Sequence, residues 1–127
     1  MSVRGIRGAI AVQRDEAGAI LEATRELLLA ILEANPNLEP ADIGSVIFTL
    51  TEDLTAAYPA QAARDLGWQL VPLLCGREIP VPDGLPLCIR VLVHWNTSLP
   101  QEAIQHVYLG KAACLRPDVN GLNSQEC

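Results

Sequence analysis

The odd positions Leu87, Ile89, Val91, Val93 and Trp95 are all apolar, and between them stand Cys88, Arg90, Leu92 and His94. Alternation with a period of two marks a strand, and here it constrains the fold twice. The odd face must enter a core. The even face sets an arginine among mainly apolar neighbours, so it suits neither plain solvent nor plain interior. Residues 3–12 have the same character, with Ile6, Ile10 and Val12 on one side and Val3, Gly5, Arg7, Ala9 and Ala11 on the other. Small residues around Arg7 permit close approach by another chain element or a ligand. Arg4 has the opposite parity and reads as a structural or surface charge near the chain end.

The remaining elements follow from spacing and punctuation. Ala17, Ile20, Leu21, Thr24, Leu27, Leu28, Ile31 and Leu32 recur at helical intervals, predicting a helix over 15–34 with Asp15 as N-cap and the "NPN" at 35–37 as its stop. "IGSVIFTL" at 43–50 predicts a second strand. Pro59 at a first helical position and Gly67 after Leu66 bracket a short helix. A third strand is expected at 68–75, a loop at 76–86 where three prolines and two glycines fall, and the fourth strand at 87–95. Residues 100–106 read as a short helix, and 107–115 fits strand or helical turn.

The order β-α-β-α-β-β gives an α+β fold, a mixed sheet with both helices on one face. The strands' second face is apolar too, and no element remains to cover it. Burial against neighbouring subunits is the economical solution. One domain is expected over 1–116, with a polar, flexible tail at 117–127.

Composition removes several classes of function. A net charge of −6 opposes nucleic-acid binding. No apolar run approaches the roughly 20 residues that cross a bilayer, and there is no signal peptide, so a cytoplasmic location is expected. Cys75, Cys88, Cys114 and Cys127 lack the close pairing of a zinc site and read as reduced thiols, and His94 and His106 lie too far apart to suggest a metal. Phosphate-binding glycine loops, G-x-S-x-G and H-E-x-x-H are all absent.

Eight of the nine basic residues are arginine, whose planar fork suits carboxylates. Arg64 near the end of the short helix and Arg116 at the start of the tail read most simply as surface residues. Arg7 and Arg90 lie within apolar strands, where a guanidinium needs an anionic partner or several acceptors. That partner is either an internal carboxylate or an anionic ligand. Glu78 is the single loop carboxylate that stands out.

Five blocks carry a resemblance: "RGIRGA" at 4–9, "TEDLTAAYPAQAARDLG" at 51–67, "VPLLCGRE" at 71–78, "CIRVL" at 88–92 and "PQEAIQHVYL" with "LRPD" across 100–118. In order and spacing the chain resembles the small, monofunctional, trimeric bacterial chorismate mutases over essentially the whole domain. The resemblance implies a trimeric pseudo-α/β barrel that needs no metal or cofactor. The implied reaction is the Claisen rearrangement of chorismate to prephenate in phenylalanine and tyrosine biosynthesis. It further implies Arg90 against the breaking ether oxygen and a carboxylate, Arg7 on a carboxylate, and Glu78 accepting the ring hydroxyl with Cys75 nearby. Tyr108 would hold the carboxylate end, while Arg64, Leu115 and Arg116 would come from a neighbouring subunit or the closing tail. Tyr58, where the family usually has phenylalanine, would line the pocket, and Gln61 stands where a member has lysine. Two other readings stay open: a non-catalytic trimeric module that binds a small carboxylate, and an imine deaminase of a related trimeric fold.

Overall fold

A computed structural model of the chain describes residues 1–115; Arg116 and the 117–127 tail lie outside them. Strand β1 (Ser2–Ala11) leads into helix α1 (Ala17–Ala34), then β2 (Ile43–Leu50), the short helix α2 (Ala60–Asp65), β3 (Leu73–Arg77), β4 (Cys88–Thr97) and β5 (Val107–Leu109). The five strands form one mixed sheet in the order β3-β2-β4-β1-β5. β4 is the hub, antiparallel to both neighbours, with Ser2 opposite Thr97 at one end of β1 and Ala11 opposite Cys88 at the other. β3 and β5 pair in parallel with β2 and β1 at the two margins.

The period-two faces separate as the sequence requires. Ile6 and Ile10, Val46 and Phe48, and Ile89, Val91, Val93 and Trp95 enter one core with Ile20, Leu27, Leu28 and Ile31 of α1 and Ala60 and Ala63 of α2. Both helices therefore cover one sheet face. Gly8 allows this approach, because a Cβ there would lie 3.0 Å from Ile31 and Val91 side-chain atoms and 3.2 Å from Leu27. The polar groups drawn into the core are satisfied. Thr24 donates to the Ile20 carbonyl, and Asn35 joins the end of α1 to residue 105 by donating to the Gln105 carbonyl and accepting from its N–H. Among the described residues, no helix is long and apolar enough to cross a membrane.

Four expectations need correction. The third strand starts at Leu73, not Trp68. Pro72 has no N–H to give a ladder, and Trp68 and Val71 instead turn into the core. The expected helix at 100–106 is a single 3₁₀ turn, Gln101–Ala103, and 107–115 divides into β5 and a 3₁₀ turn over Gly110–Leu115. Cys75 and Cys88 are free thiols, but Cys114 is disulfide-bonded, so the expected reduced state fails there.

The fourth correction concerns Asp15, which does not cap α1; the cap position is Glu16, without a side-chain cap bond. The Asp15 carboxylate accepts from the Thr55 hydroxyl and from the Thr55 and Ala56 amides, tying down the loop before α2. Those bonds, the Thr55 side chain first, hold its pKa below the ordinary carboxylate value. A depressed carboxylate supports the fold above its unfolded pKa and loses that support as pH falls through the lower folded value. Asp15→Ala should therefore speed amide exchange at Thr55 and Ala56 at neutral pH. In the unsubstituted protein the same amides should lose protection only on strong acidification.

Candidate active site

The open sheet face, away from the helices, holds one transverse row of side chains. Strand register aligns Gly76 of β3, Thr49 of β2, Arg90 of β4, Ala9 of β1 and Tyr108 of β5. Arg7 faces Leu92, the residue two beyond Arg90 on β4. Arg7 and Arg90 are thus diagonal neighbours, about 7–8 Å apart at Cα. Ala9, between them on β1, leaves both guanidinium groups room. The backbone N–H of Arg7 donates to His106 Nδ1 at 3.0 Å, which fastens this part of β1 to the approach to β5.

Glu78 reaches the row from the end of β3. Its N–H donates to the Leu50 carbonyl, and its Oε1 lies 3.3 Å from Arg90 Nε. Its other carboxylate oxygen accepts from the Thr49 hydroxyl. The Glu78 side chain is 23% exposed and that of Arg90 44%, so the pair is half-open to anything entering from above.

A concavity of about 610 Å³ spans Arg7, Ile47, Thr49, Arg90, Leu92, Tyr108 and Leu115. A second, of about 740 Å³, lies beneath the proline-rich 79–86 loop and includes Arg77 and Glu78. Arg90 lines both, so it stands on the ridge between them. Two guanidinium groups and one carboxylate leave the site cationic inside an acidic protein, which suits a compact dianion.

Beside Arg90, two residues earlier on the same face of β4, Cys88 is buried with Ala9, Tyr108 and Ala112. Burial raises its thiol pKa, and the nearby Arg90 offsets this only in part. Cys88 therefore stays a neutral thiol that fills space beside the row. Among the described residues, no three His, Cys, Asp or Glu converge as a metal site would need.

The other residues singled out from sequence lie elsewhere in the chain. Cys75 pairs with Phe48 in register and packs towards the core, so it points away from the face carrying Thr49 and Arg90. Within one chain, Cys75 therefore does not share the Glu78–Arg90 face. Cys75 shares a concavity of about 330 Å³ with Tyr58, which is 72% exposed. Arg64 is exposed on α2 and donates to Gln61 Oε1. Thr49 escaped the sequence reading. Its only signal was parity, since Ser45, Ile47 and Thr49 share one side of β2.

Arg7, Glu78, Arg90, Tyr108 and Leu115 thus gather on one open face, while Tyr58 and Cys75 share a separate concavity and Arg64 lies exposed on α2. That face is greasy beyond its charges: Leu74 is 65% and Val3 59% exposed, with Ile47 and Leu92 half-buried between them.

Comparison with known proteins places this geometry in context. Residues 3–119 match the family described as chorismate mutase type I. A chorismate mutase AroH of Thermus thermophilus is 58% identical over 117 residues, covering 92% of this chain and 96% of its own. The AroH of Bacillus subtilis strain 168 is 46% identical over 121 residues, covering 94% of each. A solved chorismate mutase from Clostridium thermocellum superposes with a TM-score of 0.83 at 48% identity, covering 85% of this chain and 96% of that one.

Proposed function

The chain belongs to the chorismate mutase type I family, and from that premise we propose how its open sheet face performs the reaction. The protein is an isomerase that converts chorismate to prephenate. The diagonal pairing of Arg7 and Arg90 on that face, with Glu78 against Arg90, is the observation that carries the proposal.

Chorismate carries two carboxylates, a ring hydroxyl and an ether-linked enolpyruvyl arm. Its rearrangement breaks the ether C–O bond and forms a C–C bond in one intramolecular step, with no proton or electron supplied from outside. The protein therefore contributes conformation and charge. Arg7 forks onto one carboxylate, and Tyr108 supports that end. Glu78 accepts the hydrogen of the ring hydroxyl. With both ends fixed, the arm stays folded over the ring, so entropy otherwise lost at the barrier is lost on binding. Negative charge then gathers on the ether oxygen, where the fixed Arg90 guanidinium meets it without reorganisation.

One chain supplies only part of this enclosure. A homotrimer would bury the greasy face and bring Tyr58, Cys75 and Arg64 of a neighbour against the Arg7–Arg90 row, with Leu115 at the opening. The exposure of Tyr58, Leu74 and Val3 supports that assembly.

The direct test offers purified protein chorismate and, in parallel, a reactive imine, with nothing else added. Loss of the chorismate diene absorbance with prephenate appearing is the expected result. Hydrolysis of the imine with chorismate untouched would overturn the reading.

A further inference from the structure

The geometry points to Thr49 as a positioning residue that fixes the carboxylate of Glu78 for the substrate hydroxyl. This rests on the reading of Glu78 given above. Thr49 lies on β2 directly opposite Arg90 on β4, and its parallel partner on β3 is Gly76. Gly76 has no side chain to cover the Thr49 hydroxyl, and even a Cβ there would meet nothing within 4 Å.

The Glu78 carboxylate is consequently held from two strands at once. Arg90 Nε approaches Oε1, and the Thr49 hydroxyl donates to Oε2. A glutamate's terminal torsion is broad and roughly two-fold, so one contact does not fix it. Without the hydroxyl, the carboxylate is free to turn both oxygens onto the Arg90 fork, the preferred bidentate geometry of such pairs. That rotation would harm the site twice. It removes the oxygen aimed at the ring hydroxyl, and it screens the positive charge that the ether oxygen needs. Thr49 thus keeps Glu78 from collapsing onto Arg90, although it touches no reacting atom itself.

The test is a double-substitution cycle on the full-length protein, reading kcat and KM for chorismate. Thr49→Val keeps the shape and removes the hydroxyl, and Thr49→Ser restores it. Thr49→Val should lower kcat about tenfold, as expected for losing a hydrogen bond to a charged group. Thr49→Ser should stay near the unsubstituted rate. In a Glu78→Ala background, Thr49→Val should cost nothing further, because its acceptor is gone. The inference is overturned if Thr49→Val turns over normally, or if it loses the same factor with and without Glu78. If Thr49→Val does not fold, Thr49→Ala takes its place in the same cycle. The controls separate the two levels: an inactive unsubstituted protein, or a fully active Glu78→Ala, removes the reading of the site itself. Normal turnover by Thr49→Val beside an impaired Glu78→Ala removes only the role of Thr49.

Discussion

Replacing Arg90 with alanine should lower kcat for chorismate roughly 100- to 1,000-fold, the usual cost of removing one preorganised donor from a developing oxyanion. The protein should fold as before. Arg90 stands on the open face with its side chain 44% exposed, and the ion pair with Glu78 is its single salt bridge among the described residues. The loss should fall mainly on kcat, because charge on the ether oxygen appears only as the bond breaks. Arg90→Lys should recover little, since a lysine is a point charge on a flexible stem and cannot serve Glu78 and the substrate with one rigid fork. Steady-state kinetics beside circular dichroism makes the comparison. A folded Arg90→Ala protein with normal kcat would remove the electrostatic step.

The largest effect on the fold itself is expected at Trp95. It is 2% exposed on the inner face of β4, opposite Arg4 of β1 and Ile43 of β2, beside the register irregularity between Ile43 and Ser45. Trp95→Ala should cost about 3–5 kcal/mol, the range for deleting a large aromatic from a core. Trp95→Phe should cost clearly less. Denaturant unfolding at one fixed protein concentration gives the difference, because an oligomer's apparent stability depends on concentration. Equal midpoints for Trp95→Ala and the unsubstituted protein would show that this end of the sheet contributes little to the core.

Much of this was legible because a strand's parity assigns faces before any contact is known. Ile6 and Ile10 against Arg7, and Ile89 and Val91 against Arg90, separated correctly from alternation alone. The helical stripe from Ile20 to Ile31 did the same for α1. Register is what alternation cannot supply. In "WQLVPLLC" Pro72 alone signals that pairing waits for Leu73, and nothing there shows that Trp68 and Val71 turn into the core. Which side of the sheet Cys75 takes likewise became visible only once β3 had paired with β2. Asp15 looked like a cap because capping is local, whereas its partners Thr55 and Ala56 lie forty residues on. Thr49 was hidden for a related reason. A threonine in a strand passes for an ordinary β-former until pairing sets it between Arg90 and Gly76. Glu78 stood out as a loop carboxylate and took its role from family resemblance, but its pairing with Arg90 became visible only once β3 and β4 took their places.

The central claim is that substrate lies between the Arg7–Arg90 row of one subunit and the α2 surface of another. Its most direct test mixes two impaired proteins, Arg90→Ala and Arg64→Ala, after unfolding and refolding them together in equal amounts. If each site takes Arg90 from one chain and Arg64 from the next, random trimers contain intact sites at about one quarter of positions, and that share of activity should return. If mixing restores nothing beyond the sum of the two parents, each site is built within a single chain, and the shared arrangement is wrong.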